Sequence, residues 1–104
     1  ITGQTSEVKL IAIDGYTNRW RYGFNRIYPI ENGEVSDDYI KSCTANKKNA
    51  CILKLPVGKY LVKTEIDSIV VASKEFTIKP NASITVKIPI YEISLTFVCD
   101  NMKP

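Results

Sequence analysis

The chain has no histidine, and it has only one methionine and one tryptophan among its 104 residues. Histidine is the side chain that most often activates hydroxyl and thiol nucleophiles and binds metals near neutral pH. Its absence excludes the commonest catalytic and zinc-binding arrangements. Serine–lysine pairs at a recognisable spacing are also missing. We therefore expect a protein that is not an enzyme, with no catalytic residues, no metal site and no cofactor.

Long apolar runs are missing as well. No stretch approaches the roughly 20 consecutive apolar residues that a membrane-spanning helix needs. There is also no initiator methionine and no charged-then-apolar leader, so we expect a soluble mature protein or excised domain without membrane insertion. A hydrophobic fraction of 44% is too high for a disordered chain, and a net charge of +3 is too small for a dedicated nucleic-acid binder. The length suits a single domain, residues 1–104.

What the chain does contain is alternating apolar and polar residues, without any sustained 3.6-residue period. In the second half, Tyr60 and Val62 share one face, as do Phe76 and Ile78, while Pro89 marks an edge position or a bend. Irregular strand spacing and a long last strand favour a sandwich over a barrel. We predict an all-β fold, an antiparallel β-sandwich of about seven strands, Ig-like or prealbumin-like. The predicted strands are residues 7–13, 39–43, 51–55, 59–66, 75–79 and 83–90, followed by a terminal strand 91–100. Residues 19–28 form either a further strand or a structured loop.

Two of the three cysteines, Cys43 and Cys51, flank the polar segment 44–50. We predict a hairpin tip or loop closed by a Cys43–Cys51 disulfide; three separate buried thiols are the alternative. Cys99 is then left over, either buried or paired with another chain. Asn81-Ala82-Ser83 is a glycosylation sequon at a predicted turn. Together these features indicate an extracellular or cell-surface protein.

Residues 52–90 contain a turn motif, Leu55-Pro56-Val57-Gly58-Lys59-Tyr60, followed by two alternating strands at 76–78 and 84–86. In such a turn proline presets the bend, glycine takes the unusual dihedral and tyrosine returns to the core. This segment resembles prealbumin-like β-sandwich modules, namely carboxypeptidase regulatory-like domains and collagen-adhesin B-type repeats. The first half of the chain departs from the pattern of these modules, with a long insertion at 16–41.

The resemblance also raises a crosslink, because some adhesin repeats carry an internal Lys–Asn amide bond promoted by a buried acid. Lys9, Glu65 and Asn101 are the candidates here. However, Glu65 shares its parity with Lys63 and should face solvent, so we do not expect the bond.

The segment 16–28 combines all three arginines with five of the ten aromatic residues. Three interpretations remain open: a half-buried strand with Trp20, Tyr22 and Phe24 in the core, a protein interface, or a surface that binds carbohydrate or nucleic acid. Arginines interleaved with aromatic rings are typical of interface hot spots and of stacking surfaces. The candidate interface residues are Arg19, Trp20, Arg21, Tyr22, Phe24 and Arg26.

Two further features concern binding. The acidic residues Glu31, Glu34, Asp37 and Asp38 match no calcium-loop spacing, so a solvated loop is the simpler interpretation. The terminal strands, 1–13 and 91–100, either complete the chain's own sheets or are donated to a neighbouring copy.

The combined prediction is a non-catalytic structural module that works by spacing, adhesion or subunit assembly, with filament formation by strand donation as one mechanism. Its partner would be a protein, including copies of itself. Carbohydrate is the next ligand class and nucleic acid the least expected. The alternatives are a ligand-binding accessory module that uses segment 16–28, or a small secreted effector that acts through a protein interface.

Overall fold

The computed structural model describes residues 5–91, and in this part of the chain all regular structure is β-strand. Short turns between alternating segments favour this outcome, because each strand can bury one face and hydrate the other. The predicted all-β fold is confirmed, with eight strands where about seven were expected. The strands are β1 Thr5–Asp14, β2 Gly23–Glu31, β3 Glu34–Val35, β4 Lys41–Ala45, β5 Cys51–Pro56, β6 Gly58–Ile66, β7 Ile69–Ile78 and β8 Ile84–Ile90.

The strands form two sheets. One sheet has the order β5-β1-β8, and the other has the order β3-β2-β6-β7 with β4 also paired to β2. Neighbouring strands are antiparallel except β1 and β8, which are parallel. Because β1 lies between β5 and β8, the N-terminal strand completes the chain's own sheet.

The core lies between the two sheets and is built from the side chains that point inward at alternate positions along the strands. The predicted inward faces of β6, β7 and β8 are correct, since their members Val62, Ile78 and Ile88 are almost fully buried. One polar pair interrupts this apolar layer: the buried Thr64 hydroxyl donates a 2.7 Å hydrogen bond to Asn25 Oδ1. The largest fully buried side chains are Leu10, Ile27, Leu55, Ile78, Ile88, Ile90, Val8, Val62, Asn25 and Thr64.

The turn between β5 and β6 has the geometry that its residues predict. Gly58 adopts a φ of 153°, which strongly favours glycine. Tyr60 returns to the core, where its hydroxyl donates a 2.7 Å hydrogen bond to the Pro56 carbonyl and its ring stacks on Phe76. Burial raises the pKa of the Tyr60 hydroxyl.

The predicted Cys43–Cys51 disulfide is present in the structure, and the segment that it closes is a loop and not a hairpin tip. Cys43 lies on β4, which pairs with β2, whereas Cys51 lies on β5, which pairs with β1. The connecting loop therefore crosses from one sheet to the other. It closes with a turn of its own, in which Asn46 Oδ1 accepts hydrogen bonds from the backbone amides of Lys48 and Asn49. The disulfide joins the two layers of the sandwich.

The strand predicted at 75–79 is also longer than expected, because β7 begins at Ile69. The two residues before it, Asp67 and Ser68, both have positive φ values, 54° and 68°. This two-residue connection makes β6 and β7 a continuous hairpin. The new part of the strand is largely exposed, with Ile69 65% and Val70 51% accessible.

Candidate functional site

The loop between β1 and β2 is held by backbone hydrogen bonds rather than left free. The Asp14 carboxylate accepts hydrogen bonds from the amides of Tyr16 and Thr17, at 2.8 and 3.2 Å. The chain then doubles back along the end of β1. In this return the amide of Asp14 donates to the Arg19 carbonyl, and the amide of Arg21 donates to the Ala12 carbonyl, at 2.8 and 2.9 Å. The side chains that follow the turn are therefore presented in fixed positions.

This return places a groove at the end of the sandwich, with a volume of about 720 Å³. Arg19, Arg21 and Lys47 are cationic. Asp14 is a carboxylate whose Oδ1 already accepts hydrogen bonds from the turn amides. Trp20 and Tyr22 contribute aromatic surface, 39% and 49% exposed. We call this the basic groove; it is lined by Asp14, Thr17, Arg19, Trp20, Arg21, Tyr22 and Lys47.

The interpretation that placed Trp20, Tyr22 and Phe24 in the core is wrong. Strand β2 begins only at Gly23, and its inward residues are Gly23, Asn25 and Ile27. Gly23 explains this register, since a Cβ atom there would lie 2.7 Å from Thr64 Cγ2 and 3.1 Å from the Ala12 Cβ. Because Gly23 has no side chain, β2 can approach Thr64 and Ala12 closely. Trp20, Tyr22 and Phe24 occupy the alternate positions and therefore do not point into the core.

Phe24 and Arg26 lie on the outer face of β2, where they line a second, smaller concave region that shares Tyr22 with the basic groove. The Arg26 guanidinium stacks on the rings of Phe24 and Tyr39, 5.1 and 5.2 Å from their centroids, and it forms an ion pair with Glu65. Burial by these rings makes Arg26 part of a packed cluster. Of the six predicted interface residues, four line the groove and two belong to this cluster, with Tyr22 lining both regions.

Of the four acidic residues, Glu31 and Glu34 lie in a tight hairpin at the opposite end of β2, and Asp37 and Asp38 follow β3. We call residues 31–38 the acidic hairpin. Asn32 and Gly33 make the turn with φ values of 55° and 80°, and Glu31 and Glu34 are direct cross-strand partners in β2 and β3. In the described part of the chain, no group of three or more potential ligands among His, Cys, Asp and Glu could hold a metal ion. The sequence grouped these acids correctly but gave no sign that they lie across the molecule from the arginines.

The remaining predicted sites fall at separate places. Asn81 is exposed in the turn after β7, with a φ of 56°. Lys9 is exposed on β1, while Glu65 lies in the other sheet beside Arg26. The expectation that Glu65 faces solvent is wrong, since its side chain is only 12% exposed beside Arg26. Lys9 and Glu65 nevertheless lie in different sheets, so the structure does not bring these two crosslink candidates together. Asn101, Cys99 and most of the predicted terminal strand lie outside the described residues.

Comparison with known proteins identifies the fold. No protein-family model and no curated protein matches the chain. The TIE protein of Bacillus anthracis is similar in structure, with a TM-score of 0.60 and 24% identity over 85% of this chain and 16% of that one. A minor pilin of the Gram-positive pathogen Streptococcus agalactiae is similar at a TM-score of 0.58 and 22% identity, over 88% of this chain and 46% of that one.

This chain thus spans less than half the length of either protein. The likeness shows a β-sandwich and fits a prealbumin-like domain loosely. The two module families named from the turn motif are not confirmed. Within the described residues, no helix is long and apolar enough to cross a bilayer.

Proposed function

We propose that this chain is a non-catalytic structural module of an extracellular or cell-surface protein. Its work would be to space or join neighbouring parts of an assembly. The observation that carries the proposal is the Cys43–Cys51 disulfide, which links the two sheets of the sandwich. A bond between the layers resists their separation, and such bonds persist in oxidising compartments.

The structural neighbours support the same proposal. One of them is the minor pilin of a Gram-positive pathogen, and a pilin-like fold favours a structural module. The sandwich of this chain has its inward faces filled by side chains. Its exposed concave regions lie at the ends and on one outer face, where neighbouring modules would meet.

The proposal is tested on intact cells that express the protein. A membrane-impermeant biotin reagent should label its exposed lysines, and thiol trapping before lysis should find Cys43 and Cys51 oxidised. A cytosolic marker protein serves as the control for leakage. Protein that resists labelling and has both thiols free would contradict the proposal.

Strand donation remains one route to assembly under this proposal. The N-terminal strand is a poor donor, because β1 would have to leave the centre of its own sheet. The predicted terminal strand 91–100 is the remaining candidate. A variant truncated after Tyr91 should lose association if this strand is donated, while keeping its circular-dichroism spectrum.

A second candidate function, carbohydrate binding, is favoured by the exposed Trp20 and Tyr22. Exposed rings beside cationic side chains provide stacking surface and hydrogen-bond donors for sugars. Addition of glycans should then shift the fluorescence of Trp20, which is the chain's one tryptophan. A Trp20→Ala variant controls for binding elsewhere. Emission that no glycan changes would exclude this candidate, and the same titration with oligonucleotides tests nucleic acid.

A further inference from the structure

The basic groove and the acidic hairpin lie beyond opposite ends of strand β2. The basic groove ends at Tyr22, directly before β2 begins at Gly23, and the acidic hairpin starts where β2 ends at Glu31. A strand of this length spans roughly 30 Å. The two features therefore cannot meet within one molecule, but they can meet between two molecules.

The carboxylates of the acidic hairpin repel one another, and a nearby cation would reduce this repulsion. Glu31 and Glu34 are directly opposed across β2 and β3, an arrangement that destabilises a strand pair. Both are exposed, as are Asp37 and Asp38, and none of these carboxylates forms an ion pair within the described residues. The hairpin is thus a narrow, negatively charged projection.

The basic groove has the complementary chemistry. Arg19 and Lys47 are exposed and have no carboxylate partner among residues 5–91. Asp14 also lines the groove, and its Oδ1 accepts hydrogen bonds from two turn amides. Trp20 and Tyr22 offer apolar surface between the cations, and Val35 of the hairpin is 39% exposed beside its acids. Charged and apolar contacts could form together at such a junction.

We propose that the basic groove receives the acidic hairpin of a second copy of this chain. The two surfaces differ, so the contact is heterologous and repeats from one copy to the next. Because they lie beyond opposite ends of strand β2, repetition gives a head-to-tail row. This inference rests on the proposed structural function and names its partner and its contact surfaces.

The test is self-association of the full chain, measured by sedimentation at several concentrations in low and high salt. We expect wild-type association to weaken by roughly tenfold or more in about 0.5 M salt, because exposed charges are screened. Reversing the groove (Arg19→Glu with Lys47→Glu) should abolish association. Reversing the hairpin (Glu31→Lys with Glu34→Lys) should do the same.

Mixing the two reversed variants should restore association, because each then offers a surface complementary to the other. Combining all four substitutions in one chain should also restore it. The matched controls are Lys9→Glu with Lys87→Glu for the groove and Glu75→Lys for the hairpin, which change exposed charges elsewhere without placing like charges opposite each other. We expect both controls to associate like wild type, and circular dichroism to show that every variant is folded.

The inference would be overturned by a wild-type monomer at all concentrations in low salt, by association that the charge reversals do not change, or by reversed variants that do not associate when mixed. A groove that binds a sulfated oligosaccharide without self-association would also overturn it in favour of carbohydrate. The proposed function would survive each of these results if the protein is labelled on intact cells with its disulfide formed. A reduced, intracellular protein would instead refute the proposed function, whatever its association.

Discussion

At the scale of single residues, Tyr60 connects the turn motif to the core. Its ring stacks on Phe76 and its hydroxyl donates to the Pro56 carbonyl, so one side chain fixes both the turn and the start of β6. Its burial also has a pH consequence. Because burial raises its pKa above the ordinary value of 10.0, the folded chain keeps this proton at pH values where the unfolded chain has released it.

We therefore expect Tyr60→Phe to lower the free energy of unfolding by about 1 kcal/mol near neutral pH, through loss of one hydrogen bond. In wild type, the contribution of the Tyr60 proton is complete below about pH 10 and is lost as the pH rises through the folded pKa. The variant should lack this alkaline loss. Urea unfolding at a series of pH values measures both effects.

Tyr16→Phe is the matched control, because Tyr16 is 61% exposed. It should change the unfolding free energy by less than about 0.5 kcal/mol. Identical pH dependence in wild type and Tyr60→Phe would contradict the assignment.

At the scale of elements, the hairpin of β6 and β7 shows how local residues set strand length. Its two turn residues, Asp67 and Ser68, both occupy the positive-φ region that glycine and asparagine adopt most easily. Neither residue is glycine, so their positive φ values cost conformational free energy. The pairing of β6 with β7 must offset this cost.

Replacing Ser68 by glycine should consequently stabilise the protein by about 1 kcal/mol, because glycine adopts a positive φ without strain. The comparison is Ser73→Gly, the same substitution at an exposed position inside β7. There we expect a loss of roughly 0.5–1 kcal/mol, since glycine weakens a strand interior. Thermal unfolding measures both variants, and a destabilising Ser68→Gly would show that the turn geometry is wrong.

At the scale of the whole molecule, the two sheets are held by core packing and by one covalent bond. Cys43 and Cys51 have Cα atoms 5.9 Å apart and lie in different sheets, so the bond crosses the layer boundary. In a chain of 104 residues the core alone provides a limited margin of stability. The bond is therefore a substantial part of what keeps the layers together.

We expect Cys43→Ala with Cys51→Ala to lose roughly 2–3 kcal/mol of unfolding free energy. Wild type treated with a thiol reductant should lose a similar amount, whereas the double variant should be insensitive to the reductant. Cys99→Ala serves as the common background, so that thiol exchange does not confuse the comparison. Urea unfolding with and without reductant gives the result, and a wild type that reductant does not destabilise would contradict it.

How much the sequence predicts depends on the kind of information that each feature needs. The inward faces of β6, β7 and β8 follow from a two-residue alternation, and the turn at Gly58 follows from local dihedral preferences. The start of β7 was missed because Asp67-Ser68 is a weak turn signal. The inward face of β2 was predicted wrongly because it depends on the close approach of Gly23 to Thr64. These two residues are distant in the chain, so no local pattern reveals their contact.

The sequence by itself determined the fold class, the cysteine pair and the separate basic and acidic segments, because each is written in neighbouring residues. The tertiary structure alone decided that the cysteine pair joins two sheets, and that Trp20 and Tyr22 line a groove instead of the core. It also decided that the basic and acidic segments lie at opposite ends of one strand. These outcomes depend on which strands pair, and pairing is set by the packing of the whole core.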